Sequence, residues 1–159
     1  MGKEIERKFL VRHDGWRQRI AKSVHLCQGY LNTGTNSGCS VRVRVDGEDA
    51  RLNIKSATLG TTRTEFDFPI PVTDANEIFD KLCVRPFIEK TRHYVEHRGH
   101  WWEIDVFEGE NAGLIMAEVE LKQPDEQFER PDWLGEEVSH DLRYYNVSLV
   151  KHPYRNWRS

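Results

Sequence analysis

The opening stretch Glu4-Ile5-Glu6-Arg7-Lys8-Phe9-Leu10-Val11 places Glu4, Glu6 and Lys8 two residues apart. In a strand such residues share one face, so two carboxylates and an ammonium lie together while Ile5 and Phe9 take the other side. Arg7 interrupts the apolar face. One strand of this kind reads as an ordinary solvated face. The constraint comes from repetition. Segments 40–45, 50–57, 61–70, 87–98, 101–107 and 114–122 also alternate, and their polar positions are almost all ionisable. They are Arg42 and Arg44; Lys55; Arg63, Glu65 and Asp67; Lys90 and Arg92; Glu103 and Asp105; and Glu118 and Glu120.

With a further strand at 24–33, eight strands result, mostly joined by short turns such as Asp46-Gly47 and Leu59-Gly60. The expectation is a mainly β (α+β) fold: an antiparallel, meandering sheet with enough strands to close a barrel. Pro69 and Pro71 end the fifth strand, and a helix follows from Thr73 or Asp74 to about Leu82, with Ile78, Phe79 and Leu82 at helical spacing. The run 33–38 is a loop signal. In the tail, 125–129 suits a short helix, 131–135 is irregular, 141–151 suits a helix, and 156–159 looks frayed. The 159 residues form one domain.

Charge of both signs is plentiful, at 31 % of residues, and the net charge is only −3. That balance argues against a generally basic nucleic-acid binder, and no nucleic-acid partner is expected. The signs are sorted, however. The first and last strands carry paired glutamates, and the third, fourth and sixth carry only Arg and Lys. If the sheet closes, Glu4, Glu6, Glu118 and Glu120 meet. Four carboxylates suit a hard cation, Mg²⁺ or Mn²⁺. Opposite them, Arg42, Arg44, Lys55, Lys90 and Arg92 suit the phosphates of one polyanion. Burying such charges unpaired costs several kcal/mol per ion, so a ligand with about four negative charges plus divalent cations accounts for both halves.

Cys27, Cys39 and Cys83 show no metal or disulfide spacing, and free thiols in a reducing cytosol are expected. No apolar leader or membrane-spanning run is present, so a soluble cytoplasmic protein with no membrane partner is the default. The seven histidines show no ligand spacing, and Trp101 and Trp102 read as barrel packing.

The ordered segments resemble the CYTH superfamily, the triphosphate tunnel metalloenzymes. Glu4-Ile5-Glu6-Arg7-Lys8 resembles the family's E-x-E-x-K signature. The likeness continues through Gln28-Gly29-Tyr30-Leu31, Val41-Arg42-Val43-Arg44, Leu52-Asn53-Ile54-Lys55, Arg63-Thr64-Glu65-Phe66, Glu89-Lys90-Thr91-Arg92, Glu103-Ile104-Asp105, Ala117-Glu118-Val119-Glu120 and Arg143-Tyr144-Tyr145-Asn146. The resemblance implies an eight-stranded tunnel with a charged interior that binds triphosphates with divalent metal. Among the family's activities, short bacterial members look most like inorganic triphosphatases; thiamine triphosphatase, adenylyl cyclase and a non-catalytic polyphosphate binder are the alternatives. Glu4, Glu6, Glu118 and Glu120 are then the metal set. Lys8, Arg42, Arg44, Lys55, Arg63, Lys90 and Arg92 are the substrate set. Glu6, Lys8, Tyr30, Glu65 and Lys90 are the catalytic candidates, with Asp67, Glu103 and Asp105 as orienting acids. The tail helix either plugs one mouth or covers an outer face, and the sequence leaves monomer and homodimer open.

Overall fold

The computed structural model describes residues 2–32 and 38–157; residue 1, most of the loop expected at 33–38 and the last two residues lie outside them. Eight strands run β1 (Gly2–Val11), β2 (Ile20–Asn32), β3 (Cys39–Asp46), β4 (Asp49–Ser56), β5 (Thr62–Ile70), β6 (Val84–His97), β7 (His100–Phe107) and β8 (Ile115–Glu120). All pair antiparallel and the sheet closes, as expected, with β1 and β8 as neighbours. It is not a simple meander. The order round the barrel is β5-β4-β3-β2-β6-β7-β8-β1, with β1 pairing back to β5. Two meanders, β2 to β5 and β6 to β8, are thus joined through the β2–β6 ladder, and β1 fills the remaining gap.

Strand β1 divides its free edge. Gly2 to Ile5 pair with β5, and farther along Phe9 and Val11 pair with a ninth short strand, β9 (Leu134–Glu137). The irregular reading of 131–135 missed β9, because its four residues carry no alternation long enough to read. Gly135 sits where an added Cβ would come within 2.9 Å of the Leu10 carbonyl oxygen, so the close approach of β9 needs glycine there.

The outer apolar face is covered in two places. Phe9, Trp102, Ile104, Ala117 and Val119 pack under Trp16, Phe128, Trp133 and Leu134. Trp102 is fully buried, with edge-to-face contacts to Phe9, Phe128 and Trp133 at 5.6–5.7 Å between centroids. Trp101, by contrast, is 55 % exposed, which corrects its assignment to barrel packing. Helix α1 (Val72–Lys81) covers β3 and β4 with Ala75 and Phe79 over Val43, Ala50 and Leu52. No helix among the described residues is long and apolar enough to cross a membrane. Among the described residues the three cysteines form no disulfide with one another, and all are half-buried.

The tail departs from expectation. Residues 125–129 form no helix. The single helix expected over 141–151 is broken into a 3₁₀ turn, Leu142–Tyr144, and helix α2 (Asn146–Lys151). Between them Tyr145 is extended (φ −73°, ψ 137°), because its hydroxyl is held by the barrel: it donates to the Ser139 carbonyl at 2.8 Å and accepts from the Gly60 amide at 3.0 Å. The end does not fray at 156–157 either, since Trp157 packs on Tyr144 and Tyr154.

Helix α1 seats tightly on β2 at Gly29. A Cβ there would lie 2.7 Å from Cys83 Sγ and 2.8 Å from the Phe79 ring. Gly29→Ala is therefore expected to destabilise the protein by about 1–3 kcal/mol in urea unfolding, the usual cost of overpacking. An unchanged midpoint would contradict this seating.

Candidate functional site

Strand alternation sets the interior. Inward positions near one end are apolar: Leu10, Tyr30, Ile88, Phe107 and Met116. They pack with Leu149 and Val150 of α2, so this helix plugs that end of the barrel. Above this floor the inward positions are ionic, and they line a cavity of about 210 Å³. Every residue placed in the metal, substrate and catalytic sets lines it. Of the orienting acids, Asp67 and Glu103 line it too, whereas Asp105, on the same face of β7 as Glu103, is 1 % exposed and covered by Arg92 and Lys90.

The ladder registers explain who meets whom. Glu6 lies opposite Glu120, and Lys8 opposite Glu118, across β1–β8. Glu4 lies opposite Arg63 across β1–β5, and Lys55 opposite Glu65 across β4–β5. Lys8 donates to Glu6 at 2.7 Å and to Glu118 at 3.3 Å. Lys55 donates to Glu4 at 3.0 Å, and Arg63 bridges Glu4 and Glu6 at 3.3 and 3.4 Å. The four glutamates are therefore gathered on adjoining strands but turned onto these cations. No three of them offer oxygens within 4.8 Å of one another.

On the other wall, Asp105 is shared. Arg92 grips it with two hydrogen bonds at 2.8 and 2.9 Å, and Lys90 Nζ lies 2.7 Å from Oδ2, one of the two oxygens that Arg92 holds. Burial disfavours the Asp105 carboxylate, but Arg92 and Lys90 hold its pKa well below the usual range. Arg92 also reaches Glu103 at 3.1 Å and Glu118 at 3.6 Å, whereas Lys90 has Asp105 as its one carboxylate among the described residues. Burial pushes the Lys90 ammonium down to about 8, with Asp105 opposing and Arg92 reinforcing that shift. Burial likewise takes Lys55 down to about 8, helped by Arg42. Arg44 falls to about 9 through burial and the neighbouring Arg42 and Arg92.

Strand β3 is the extreme case. Among the described residues no carboxylate lies within ion-pair distance of Arg42 or Arg44. Their partners are neutral: Arg42 donates to Asn53 Oδ1 at 3.1 Å, and Arg44 to Gln28 Oε1 at 2.7 Å. Asn53 in turn donates to Asp67 at 2.8 Å. The acid wall shows the converse. Burial and the nearby Glu4, Glu6 and Glu65 raise the pKa of Glu120, and burial raises Glu103. Glu6 is held well below the usual range because Lys8 and Lys55 outweigh its burial. Crowded carboxylates of this kind fit a hard divalent cation bound through oxygen.

Sequence reasoning missed the contribution of the tail. Asn146, the first residue of α2, accepts from Lys90 Nζ at 2.7 Å and from Gln28 at 3.4 Å. The Tyr145 ring lies 5.1 Å from Lys8 Nζ and 5.6 Å from the Arg63 guanidinium, a cation–π shelf for both. Ser40, Arg51, Asn53 and Val147 also line the cavity. Asn53 was legible as an inward position beside Lys55. Tyr145 and Asn146 were not, because only the break in the tail helix aims them inward.

The CYTH domain family model matches residues 2–154. An inorganic triphosphatase of Acetivibrio thermocellus is 46 % identical over 158 residues, 99 % of each chain. One of Nitrosomonas europaea is 38 % identical over 152 residues, covering 92 % of this chain and 96 % of that one. Among solved structures, the inorganic triphosphatase NE1496 superposes with a TM-score of 0.66 at 37 % identity, covering 92 % and 97 % of the two chains. The PH1012 protein of Pyrococcus horikoshii shares the fold, with a TM-score of 0.60 at 18 % identity and coverage of 77 % and 81 %. Triphosphate tunnel enzymes of this kind are metal-dependent. A closed barrel of ionic strands, matched over nearly its whole length, places the chain in the CYTH domain family.

Proposed function

We propose that the protein is a divalent-metal-dependent inorganic triphosphatase that hydrolyses the terminal phosphoryl group of tripolyphosphate. The observation that carries this reading is the pair of guanidinium groups, of buried Arg42 and half-buried Arg44, that lack a carboxylate partner in a cavity whose other wall holds crowded glutamates. The two curated relatives, both named inorganic triphosphatases and matched at nearly full length, support it.

Phosphoryl transfer needs chiefly positioning and charge neutralisation. Arg42, Arg44, Lys55, Arg63, Lys90 and Arg92 hold the phosphate chain, and planar guanidiniums match its oxygens in pairs. Glu4, Glu6, Glu118 and Glu120 hold Mg²⁺ or Mn²⁺, which when bound neutralises phosphate charge and activates water. Lys8 bridges Glu6 and Glu118 in the free protein and is positioned to turn to a phosphate once those carboxylates are engaged. Glu65 orients Lys55, and Glu103 and Asp105 orient Arg92. Tyr30, opposite Arg42 at the floor, lies where the leaving phosphate would rest. Tyr145 and Asn146 act as positioning residues for Lys8, Arg63 and Lys90.

Phosphate release from tripolyphosphate with Mg²⁺ or Mn²⁺ is the direct test. EDTA should abolish it. Glu6→Gln should lower kcat/KM by about 10²-fold or more, equivalent to roughly 3 kcal/mol of transition-state stabilisation. Arg42→Ala should raise KM about tenfold or more, roughly the 1.5–3 kcal/mol of a charged hydrogen bond. Full activity in EDTA, or unaltered kinetics in both folded variants, would overturn the assignment.

Burial lowers the Lys90 pKa to about 8, so the free protein loses that proton as pH rises through 8. A bound polyanion favours the charged form, so binding should take up protons at pH 8–9 and weaken at higher pH. Calorimetry of tripolyphosphate binding in buffers of different ionisation enthalpy checks this. Lys90→Arg, whose guanidinium has a higher ordinary pKa than an ammonium, should take up fewer protons; equal uptake would contradict the role of Lys90.

A further inference from the structure

We propose that the outer wall of the barrel carries a transition-metal site, separate from the tunnel, built by His25, Glu89 and Glu108. One ligand atom from each lies within 4.8 Å of the other two. Among the described residues this is the one His, Cys, Asp and Glu group that meets this geometry. The tunnel glutamates do not.

The three residues come from separate parts of the sheet. His25 is on β2, Glu89 on β6, and Glu108 directly follows β7. Backbone pairing fixes their spacing. His25 lies opposite Thr91 in the β2–β6 ladder, and the Glu108 amide donates to the Glu89 carbonyl at 2.9 Å. The Glu108 side chain is oriented as well: Thr91 Oγ1 donates to its Oε2 at 2.7 Å, leaving Oε1 3.3 Å from His25 Nε2. A second oxygen held by a neighbour in this way is how protein metal ligands are aimed.

The charge balance points the same way. Some surface carboxylates meet Lys or Arg, as in Glu77–Lys81, Glu110–Arg155 and Asp141–Arg143, and others, such as Glu48 and Glu129, form no ion pair among the described residues. Among the described residues Glu108 has only His25 as an ion-pair partner, and Glu89 forms no ion pair. Two carboxylates and one imidazole therefore face each other without a fixed cation. One nitrogen and two oxygens, with room left for water, suit Zn²⁺ in preference to Mg²⁺, which favours all-oxygen shells.

The position gives such a site a consequence. Glu89 and Thr91 flank Lys90, whose side chain points through the wall into the cavity. A cation outside would tie β2, β6 and the end of β7 together at the level of the Lys90 subsite.

The test uses metal-free protein titrated with ZnCl₂ by calorimetry, alongside the imidazole NMR signal of His25. Wild type should bind Zn²⁺ with a shift of that signal and a rise in unfolding temperature. His25→Ala and Glu89→Gln, both exposed substitutions, should each lose one equivalent or at least tenfold in affinity. A Glu6→Gln/Glu118→Gln double variant should keep that equivalent, which separates the outer site from the tunnel. Unchanged Zn²⁺ stoichiometry and affinity in His25→Ala, or a His25 signal indifferent to Zn²⁺, would overturn the proposal.

Discussion

The structure depends on charge held inside a closed wall of backbone hydrogen bonds. A barrel has no free edge, so its strands cannot slide to relieve repulsion among inward side chains. Burying ions costs several kcal/mol each unless they are paired. The free protein meets most of that cost through ion pairs within and across strands: Lys8 with Glu6 on β1 and with Glu118 on β8, Lys55 with Glu4, and Arg92 with Asp105. What is left over is directional. Arg42 and Arg44 lack an acid on one wall, and Glu120 is crowded by acids on the other. A polyanion and a divalent cation together complete both sides.

The apolar floor makes this arrangement one-ended. Tyr30, Ile88, Phe107 and Met116 pack with Leu149 and Val150, so α2 closes the barrel where charge would otherwise meet solvent. The same tail enters the chemistry. Tyr145 is pinned to Gly60 and Ser139, which breaks the helix and turns its ring toward Lys8 and Arg63. Asn146 then starts α2 with its side chain on Lys90. A single interruption of a helix thus supplies both the plug and two supports for the cation wall.

The strands were legible because alternation with a period of two is written directly in residue type. That Glu4, Glu6, Glu118 and Glu120 come to lie on neighbouring strands followed from closure, once eight strands were counted; the register that sets Glu6 opposite Glu120 and Lys8 opposite Glu118 did not. The sheet order was not legible, since nothing local distinguishes a β1–β2 hairpin from insertion of β1 between β5 and β8. The inward roles of Tyr145 and Asn146 were hidden for a related reason: a tertiary hydrogen bond overrides a helical pattern. His25, Glu89 and Glu108 lie far apart in sequence, and the β2–β6 and β6–β7 pairings bring them together.

The central claim is that a triphosphate and a divalent cation complete a charge pattern already sorted by the strands. A crystal structure with tripolyphosphate and Mn²⁺ tests it most directly. The expected result is phosphate oxygens on Arg42, Arg44, Lys90 and Arg92, with the anomalous Mn²⁺ peak between the chain and the carboxylates of Glu4, Glu6, Glu118 and Glu120. An anion bound outside the barrel, or Mn²⁺ away from these glutamates while the cavity stays closed by its own ion pairs, would contradict it.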